Sequence, residues 1–531
     1  MTPSDLPGRA RAVIIGGGVA GCSVAYHLAQ LGWSDVVLLE RRQLTCGTTW
    51  HAAGLATRFK GSPTLARLAD YSVSLYEALE RDTGQATGVR RNGSLTIATS
   101  EHRREEILRG VSAARGYGLA IEVVDRDRVG SLWPLIDPSE VLLGAYLPDD
   151  AQVSPVDVTM ALAAGARAAG ARIFEGVTVA GFGVADGRIQ TVETDRGAIQ
   201  ADFVVNCGGM WARELGAMAG AITPLHACEH SYVLTEAIAD LDPTLPILRD
   251  LDGEAYFKED AGKLLIGAFE AKGVPWGGDG IPADFCFDEL PPNFDQIAPV
   301  LEKAFARFPV LAETGIQTFF NGPESFTADG NWLLGRTKEV ENLYVAAGFN
   351  SNGVGMGGGI GWVVAEWMDR GAPPIDVAVH DVRRVLPFEA DLSYLAERAG
   401  ETLGESYAVH WPGRQRETQR DRYLSPLHDR HRAAGAWFEQ AAGHERPRWF
   451  ARSEADRRAV YSFGRPSWWD ASAEEHAAVR AAAGLLDLTS FAQFLVTGSD
   501  AVEALQWVCA NDVDIAPGRL VYTQWLNDFG G

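Results

Sequence analysis

Gly16, Gly18 and Gly21 stand in the spacing G-x-G-x-x-G, after a short apolar run, Val13 to Ile15, and before a helical stretch. The spacing suits phosphate chemistry. Glycines at 16 and 18 let the backbone turn tightly and approach a pyrophosphate. Gly21 lets helix and strand pack closely, and the helix N-terminus offers amide hydrogens. A second apolar run ends at Glu40, nineteen residues after Gly21. A carboxylate there can accept a ribose 2′-hydroxyl. Arg41 and Thr49 fall close enough to join the same nucleotide site. Strand, helix, second strand and terminal acid occur in order, so a decorative glycine loop is the minor reading.

The next stretch, Gly47-Thr48-Thr49-Trp50-His51-Ala52-Ala53-Gly54-Leu55, follows the second strand. In a flavin-binding fold a loop at this place passes over the isoalloxazine ring. An imidazole nitrogen can add to the 8α-carbon of an oxidised flavin, and His51 has the reach to do so. The plain alternative is a loop histidine bonded to the backbone. His226, Cys228 and His230 alternate, and on a strand they share one face with Tyr232. The H-x-C-x-H spacing invites a metal, but no fourth ligand is evident nearby, so no metal is assigned. A wall strand carries more weight than a metal site, and a catalytic histidine is the third reading. A substrate carboxylate would want a cation. Arg58, Lys258 and Arg336 are considered for it and none is assigned.

These residues need a frame. A chain of 531 residues exceeds one core, so two or three domains are expected. A net charge of −23 argues against nucleic acid as a partner. No apolar run reaches membrane-spanning length. Twelve residues precede the first strand, with no apolar leader, and the six cysteines form no CxxC pair. Both features suggest reduced thiols and a cytoplasmic location. A helix is predicted over 63–81, and short strands over 93–98 and 119–124. Further strands are predicted at 171–181, 187–195 and 201–205. Alternating segments between 224 and 320 read as an antiparallel sheet that carries the substrate. A late strand, 343–347, runs into Gly348-Phe349-Asn350-Ser351-Asn352-Gly353 and a helix predicted over 360–370. This second glycine-rich junction aims another helix N-terminus at the cofactor, which places Gly348, Asn350 and Gly353 in the site. The run Arg519 to Leu526 reads as strand-like, and the chain is expected to be cut inside a domain.

TTWHAAGL (48–55), GPESFTADGNWLLG (322–335), NLYVAAGFNSNGVGMGGG (342–359), PLHDRHRAAGAWFE (426–439) and GRLVYTQWLNDFGG (518–531) span nearly the whole chain. With the glycine motif and Glu40, they resemble the dimethylglycine/sarcosine dehydrogenase family. The resemblance implies an α/β plus α+β fold. A D-amino-acid-oxidase-like FAD-binding domain of Rossmann type would comprise 10–92, 150–223 and 321–371. An antiparallel-sheet substrate domain would comprise 93–149 and 224–320. A connecting domain would follow at 372–424, then, at 425–531, the N-terminal part of a folate domain like the glycine-cleavage T-protein. It implies FAD held covalently through His51. It also places His230 and Tyr256 beside the flavin as catalytic groups, from HSYV (230–233) and AYFK (255–258). The family often shows two adjacent tyrosines where this chain has Ala255-Tyr256. The implied reaction is oxidative N-demethylation of dimethylglycine or sarcosine by hydride transfer to flavin. Tetrahydrofolate would take the one-carbon unit in the full-length protein. Tyr522, Asn527 and Gly530-Gly531 would begin the folate pocket. The electron acceptor would be an electron-transfer flavoprotein or oxygen. Two alternatives stay open: a non-catalytic regulatory subunit of the same fold, and a flavin amine oxidase for another methylated substrate.

Overall fold

Strand Arg9–Ile15 carries the glycine motif at its end and lies inside a parallel sheet, between Gly197–Asn206 and Val36–Glu40. The computed structural model describes residues 6–530, the Ala455 side chain apart. Gly531 of the expected folate pocket lies outside the described residues. The sheet runs in the order Leu333–Arg336, Leu343–Ala347, Gly197–Asn206, Arg9–Ile15, Val36–Glu40, Arg172–Glu175. Every residue of Val36–Glu40 is buried, as a strand covered on both faces requires. Strand ends at Ile15, Glu40 and Ala347 therefore open toward one edge of the sheet, where the loops that follow them can meet a ligand.

Helices Val19–Gln30, Pro63–Thr83, Pro155–Ala168 and Gly353–Arg370 cover one face and share a core with it. The last helix begins at Gly353, well before the Ile360 predicted from sequence. Glycine is a poor helix former, so the run 355–359 reads as loop. Packing overrides that preference. A Cβ at Gly359 would lie 2.7 Å from the Leu68 carbonyl oxygen, and one at Gly361 would lie 2.1 Å from Ser23 Oγ. The neighbouring helix also enters the hydrogen-bond ladder. Tyr76 Oη donates to the Val354 carbonyl and accepts from Gly358 N, both at 2.8 Å. Ser72 Oγ accepts from Gly359 N at 2.9 Å. Ser23 Oγ, on the first helix, donates to the Gly358 carbonyl at 3.4 Å.

The second sheet has nine strands. Its spine runs Leu225–Thr235, Lys263–Ala268, Ala255–Asp260, Ile247–Asp250, Ser94–Ala98, Leu143–Leu147. The predicted antiparallel sheet holds except at one junction: Ile247–Asp250 pairs parallel with Ser94–Ala98. Those strands come from distant parts of the chain, so no hairpin dictates their direction. Helix Phe294–Arg307 buries Ile297, Val300 and Leu301 in the core of this sheet. The stretch read as a connection, 372–424, contains helix Leu392–Glu405, which packs on strands Leu225–Thr235 and Ile316–Thr327.

A second unit begins at Arg420. Its hairpin, Ala436–Ala441 with His444–Phe450, buries Trp449. That ring stacks on Trp437 at 4.2 Å and on Trp468 at 4.8 Å. Helices Trp469–Ala481 and Ala501–Val508 follow, with no buried side chain. Arg519 to Leu526 forms no strand. Among the described residues its backbone bonds outside itself are Ala510 N to Gln524 O, 3.0 Å, and Arg519 N to Ala516 O, 3.3 Å, and a strand needs a full ladder. Among the described residues, no helix is long and apolar enough to cross a membrane.

Candidate active site

A cavity of about 410 Å³ opens between the glycine motif and the second sheet. At one end the backbone makes the cradle. Gly16 has φ of +111°, and a Cβ there would lie 2.3 Å from the Cys207 carbonyl oxygen. A Cβ at Gly21 would lie 1.9 Å from the Gly16 carbonyl oxygen, so Gly21 serves packing behind the cavity. Gly18 meets only Thr49 Oγ1, at 3.0 Å, which leaves its open side to a ligand. Val19 N donates to that same Thr49 Oγ1 at 3.2 Å. Glu40 accepts from Gly17 N at 2.7 Å and from Arg42 N at 2.8 Å. Burial raises the Glu40 pKa above the ordinary carboxylate value, and the two amides oppose it. Arg41 lies 3.9 Å over the Trp211 ring and donates to the Phe285 carbonyl, which fixes its guanidinium on the cavity wall.

The late junction is more structural than expected. Gly348 does not line the cavity. Its φ is +69°, and a Cβ would press on Thr327 Cγ2 at 2.6 Å. Asn350 directs its amide to Thr327, accepting from the backbone N at 2.9 Å and donating to Oγ1 at 3.2 Å. Asn350 and Ser351 are both left-handed, with φ of +48° and +62°. That kink brings Gly353 and the start of its helix to the cavity wall.

His51 is 6 % exposed and lines the cavity. It is held between Trp50 and Phe320, at ring separations of 5.6 and 5.1 Å. Among the described residues its Nε2 has no hydrogen-bond partner. Burial, with neighbouring His230, drives its pKa down to about 3, so the ring is a neutral imidazole. His230 Nδ1 lies 3.6 Å from Glu270 Oε2. Burial works against its charge, but Glu270 and Glu324 outweigh it and raise the His230 pKa above the ordinary value. Tyr256 is buried against the missing side chain of Gly267, and burial raises its pKa well above 10. The alternating trio does not act together. His226 Nδ1 bonds the Ala227 carbonyl at 2.7 Å, and Cys228 packs with Phe326, Ala399 and Leu403. His230 alone of the three lines the cavity.

The cations considered from sequence are occupied elsewhere. Arg58 pairs with Asp150 and Asp70, each at 3.1 Å. Lys258 donates to the Ala53 carbonyl at 2.9 Å, and Arg336 is exposed outside the cavity. The cavity instead receives Lys60 and Arg249, together with Glu324 and Tyr407. Glu324 falls within the GPESFTADGNWLLG stretch, and no quoted motif marks the other three. They come from separate strands and loops that only the tertiary fold brings together.

The sequence profile described as "FAD dependent oxidoreductase" matches residues 11–367. The chain belongs to the FAD-dependent oxidoreductase family. Profiles described as "FAD dependent oxidoreductase central domain" and "GCVT N-terminal domain" match 370–425 and 427–531. The chain is 41 % identical, over 99 % of its length, to 4-methylaminobutanoate oxidase (formaldehyde-forming) of Paenarthrobacter nicotinovorans, covering 64 % of that protein. It is 35 % identical to human mitochondrial sarcosine dehydrogenase, again over 99 % of this chain and 60 % of the relative. The mouse mitochondrial pyruvate dehydrogenase phosphatase regulatory subunit is likewise 35 % identical, over 99 % of this chain and 61 % of its own. The chain thus spans about three-fifths of the length of the curated relatives it matches. Among solved structures, L-proline dehydrogenase from P. horikoshii superposes with a TM-score of 0.64 at 25 % identity, covering 71 % of this chain and 98 % of that one.

The residues present fit FAD. Gly16 and Gly18 line the cradle, with Gly18 open on the side away from Thr49, Glu40 stands at the strand end, and His51 offers an orphaned ring nitrogen on the cavity wall. The FAD-dependent oxidoreductase fold accounts for the nucleotide half of the cavity. The aromatic and acidic half of the cavity is lined by His230, Glu324 and Tyr256.

Proposed function

We propose that this protein oxidises the N-methyl group of a small methylated amino acid. The carrying observation is His51, a neutral imidazole whose unpartnered Nε2 shares one cavity with His230 and Tyr256. Gly16, Gly18 and Glu40 would hold FAD, His51 would be its point of attachment, and the group would supply a hydride acceptor for the N-methyl carbon. His230 prepares the substrate. Glu270 stands beside Nδ1, which leaves Nε2 to take the proton from the substrate ammonium, and the two carboxylates steady the imidazolium that forms. The freed lone pair assists departure of the hydride. Tyr256, with no hydrogen-bond partner among the described residues, keeps its phenolic proton and orients the amine. Water then adds to the methylene iminium, releasing formaldehyde and the demethylated amine. In a longer protein carrying a whole folate domain, tetrahydrofolate would take that carbon.

Dimethylglycine, sarcosine and 4-methylaminobutanoate all share an N-methylamine and a carboxylate, so the names of the relatives support this class. The acceptor of the electrons is an electron-transfer flavoprotein or oxygen. A non-catalytic regulatory role is the second reading, favoured by the mouse relative. Two measurements test the proposal. Denatured protein should keep a fluorescent flavin band on a gel, and His51→Ala should lose it. Anaerobic addition of methylated amino acids should bleach the bound flavin. A colourless denatured band removes the covalent bond. Flavin left oxidised by every such acid removes the catalytic reading and favours the regulatory one.

A further inference from the structure

We propose that Arg249 and Lys60 clamp the substrate carboxylate, and that their position selects ω-methylamino acids over methylated glycines. The inference rests on the preceding reading for the place of the amine, beside His230. Both cations line the cavity, and neither has a carboxylate partner among the described residues. Arg249 Nε donates to Tyr407 Oη at 3.2 Å, and Lys60 Nζ donates to Asn352 Oδ1 at 3.0 Å. Both partners are neutral, so among the described residues neither basic side chain is held in an ion pair at the cavity wall. An anion of the right length satisfies both.

The register of the second sheet sets that length. Tyr232 pairs with Gly267, Gly267 with Tyr256, and Tyr256 with Arg249. These residues form one row across four strands. Arg249 therefore sits three strand spacings from the strand of His230 and Tyr232, about 14 Å between backbones. Rings fill the interval. Phe269 lies 4.8 Å from His230 and stacks at 4.3 Å on Tyr407, the residue that holds Arg249. A glycine derivative, with a single carbon between nitrogen and carboxylate, spans less of that interval than a longer chain does. A chain of three methylenes comes much closer. The charges are sorted accordingly: Glu270 and Glu324 gather at the His230 end, and Lys60 and Arg249 at the other. Burial, and then the field of Arg249, lower the Lys60 pKa to about 7 against the pull of Asp150, as expected for two cations awaiting an anion.

The test uses the flavin-loaded full chain and the series CH3NH–(CH2)n–COO⁻, with n from 1 to 5, plus N-methylpropylamine, which lacks the carboxylate. Anaerobic bleaching should be most efficient near n = 3, at least about 10-fold above n = 1. Arg249→Gln and Lys60→Gln should each weaken the n = 3 acid about 10- to 100-fold, leave N-methylpropylamine unchanged, and be partly rescued in Arg249→Lys. Binding of 4-(trimethylammonio)butanoate, which cannot be oxidised, should weaken by the same factor in calorimetry, independent of turnover. An optimum at n = 1, or equal binding by parent and both variants, overturns the clamp while bleaching of the parent keeps the oxidation reading. A parent bleached by no member of the series overturns both.

Discussion

Replacing Gly267 with alanine tests whether Tyr256 is seated where the proposed chemistry needs it. A Cβ at 267 would lie 1.9 Å from Tyr256 Cζ and 2.2 Å from Cε1 and Oη. Carbon atoms rest at about 3.5–4.0 Å, so the ring must retreat by roughly 1.5 Å or the strands must part. The ring has little room, since Phe269 stands 6.0 Å away, centre to centre, and Arg249 is its cross-strand neighbour. Overpacking of this kind costs about 1–3 kcal/mol. For a unit of about 400 residues that is a fall in Tm of roughly 1–3 °C. The chemical step should suffer more, because a displacement above 1 Å near the reacting atoms costs on the order of 100-fold. Stopped-flow bleaching of the bound flavin under anaerobic conditions reads that loss directly, with flavin content per chain as the check on folding. Gly278→Ala is the control, since its Cβ would meet nothing within 4 Å. A folded, flavin-loaded Gly267→Ala protein that bleaches as fast as its parent would refute the placement of Tyr256 in the reaction.

Glu40→Ala removes the acceptor of Gly17 N and should lower flavin content per chain several-fold, while Glu40→Gln retains one acceptor oxygen and falls between. Gly361→Ala drives a Cβ to 2.1 Å from Ser23 Oγ and should cost about 1–3 kcal/mol in urea unfolding, with partial recovery when Ser23 becomes glycine. Acid should destabilise the fold through buried histidines. Burial holds His27 and His380 near a pKa of about 4, whereas the unfolded chain titrates near 6.5. Their contribution is therefore whole above pH 6.5 and is lost as pH falls toward 4, by about 3 kcal/mol for each. His27→Gln should flatten that slope, and an unchanged profile would contradict it.

The nucleotide half of the site was legible because its signal is local. Gly16, Gly18 and Glu40 reach the cavity from one strand–helix–strand unit, so spacing in sequence is spacing in the fold. His51 could be placed for the same reason, being next along the chain. The other half of the cavity was legible only at His230 and Tyr256, through the family resemblance. Arg249 and Tyr407 join the cavity through strand register and a packed helix, and nothing near them in sequence announces a site. Alternation of His226, Cys228 and His230 was visible, but not that only the last faces the cavity, since neighbours rather than spacing decide that. The glycine run before Ile360 looked like a turn because low helix propensity is a property of the residue, while close packing against Leu68 and Ser23 is a property of the partner.

The hydroxyls of Ser23, Ser72 and Tyr76 bind a helix made some 280 to 335 residues later. A ribosome adds about 5–20 residues per second, so the first strands and helices wait roughly 15–70 s for that closing piece. Until it arrives, the polar groups meant for it stay wet and the phosphate cradle lacks its far wall. Cofactor capture is thereby tied to near-completion of the flavin unit, and shorter nascent chains should emerge pale, dependent on holding factors, and open to proteases.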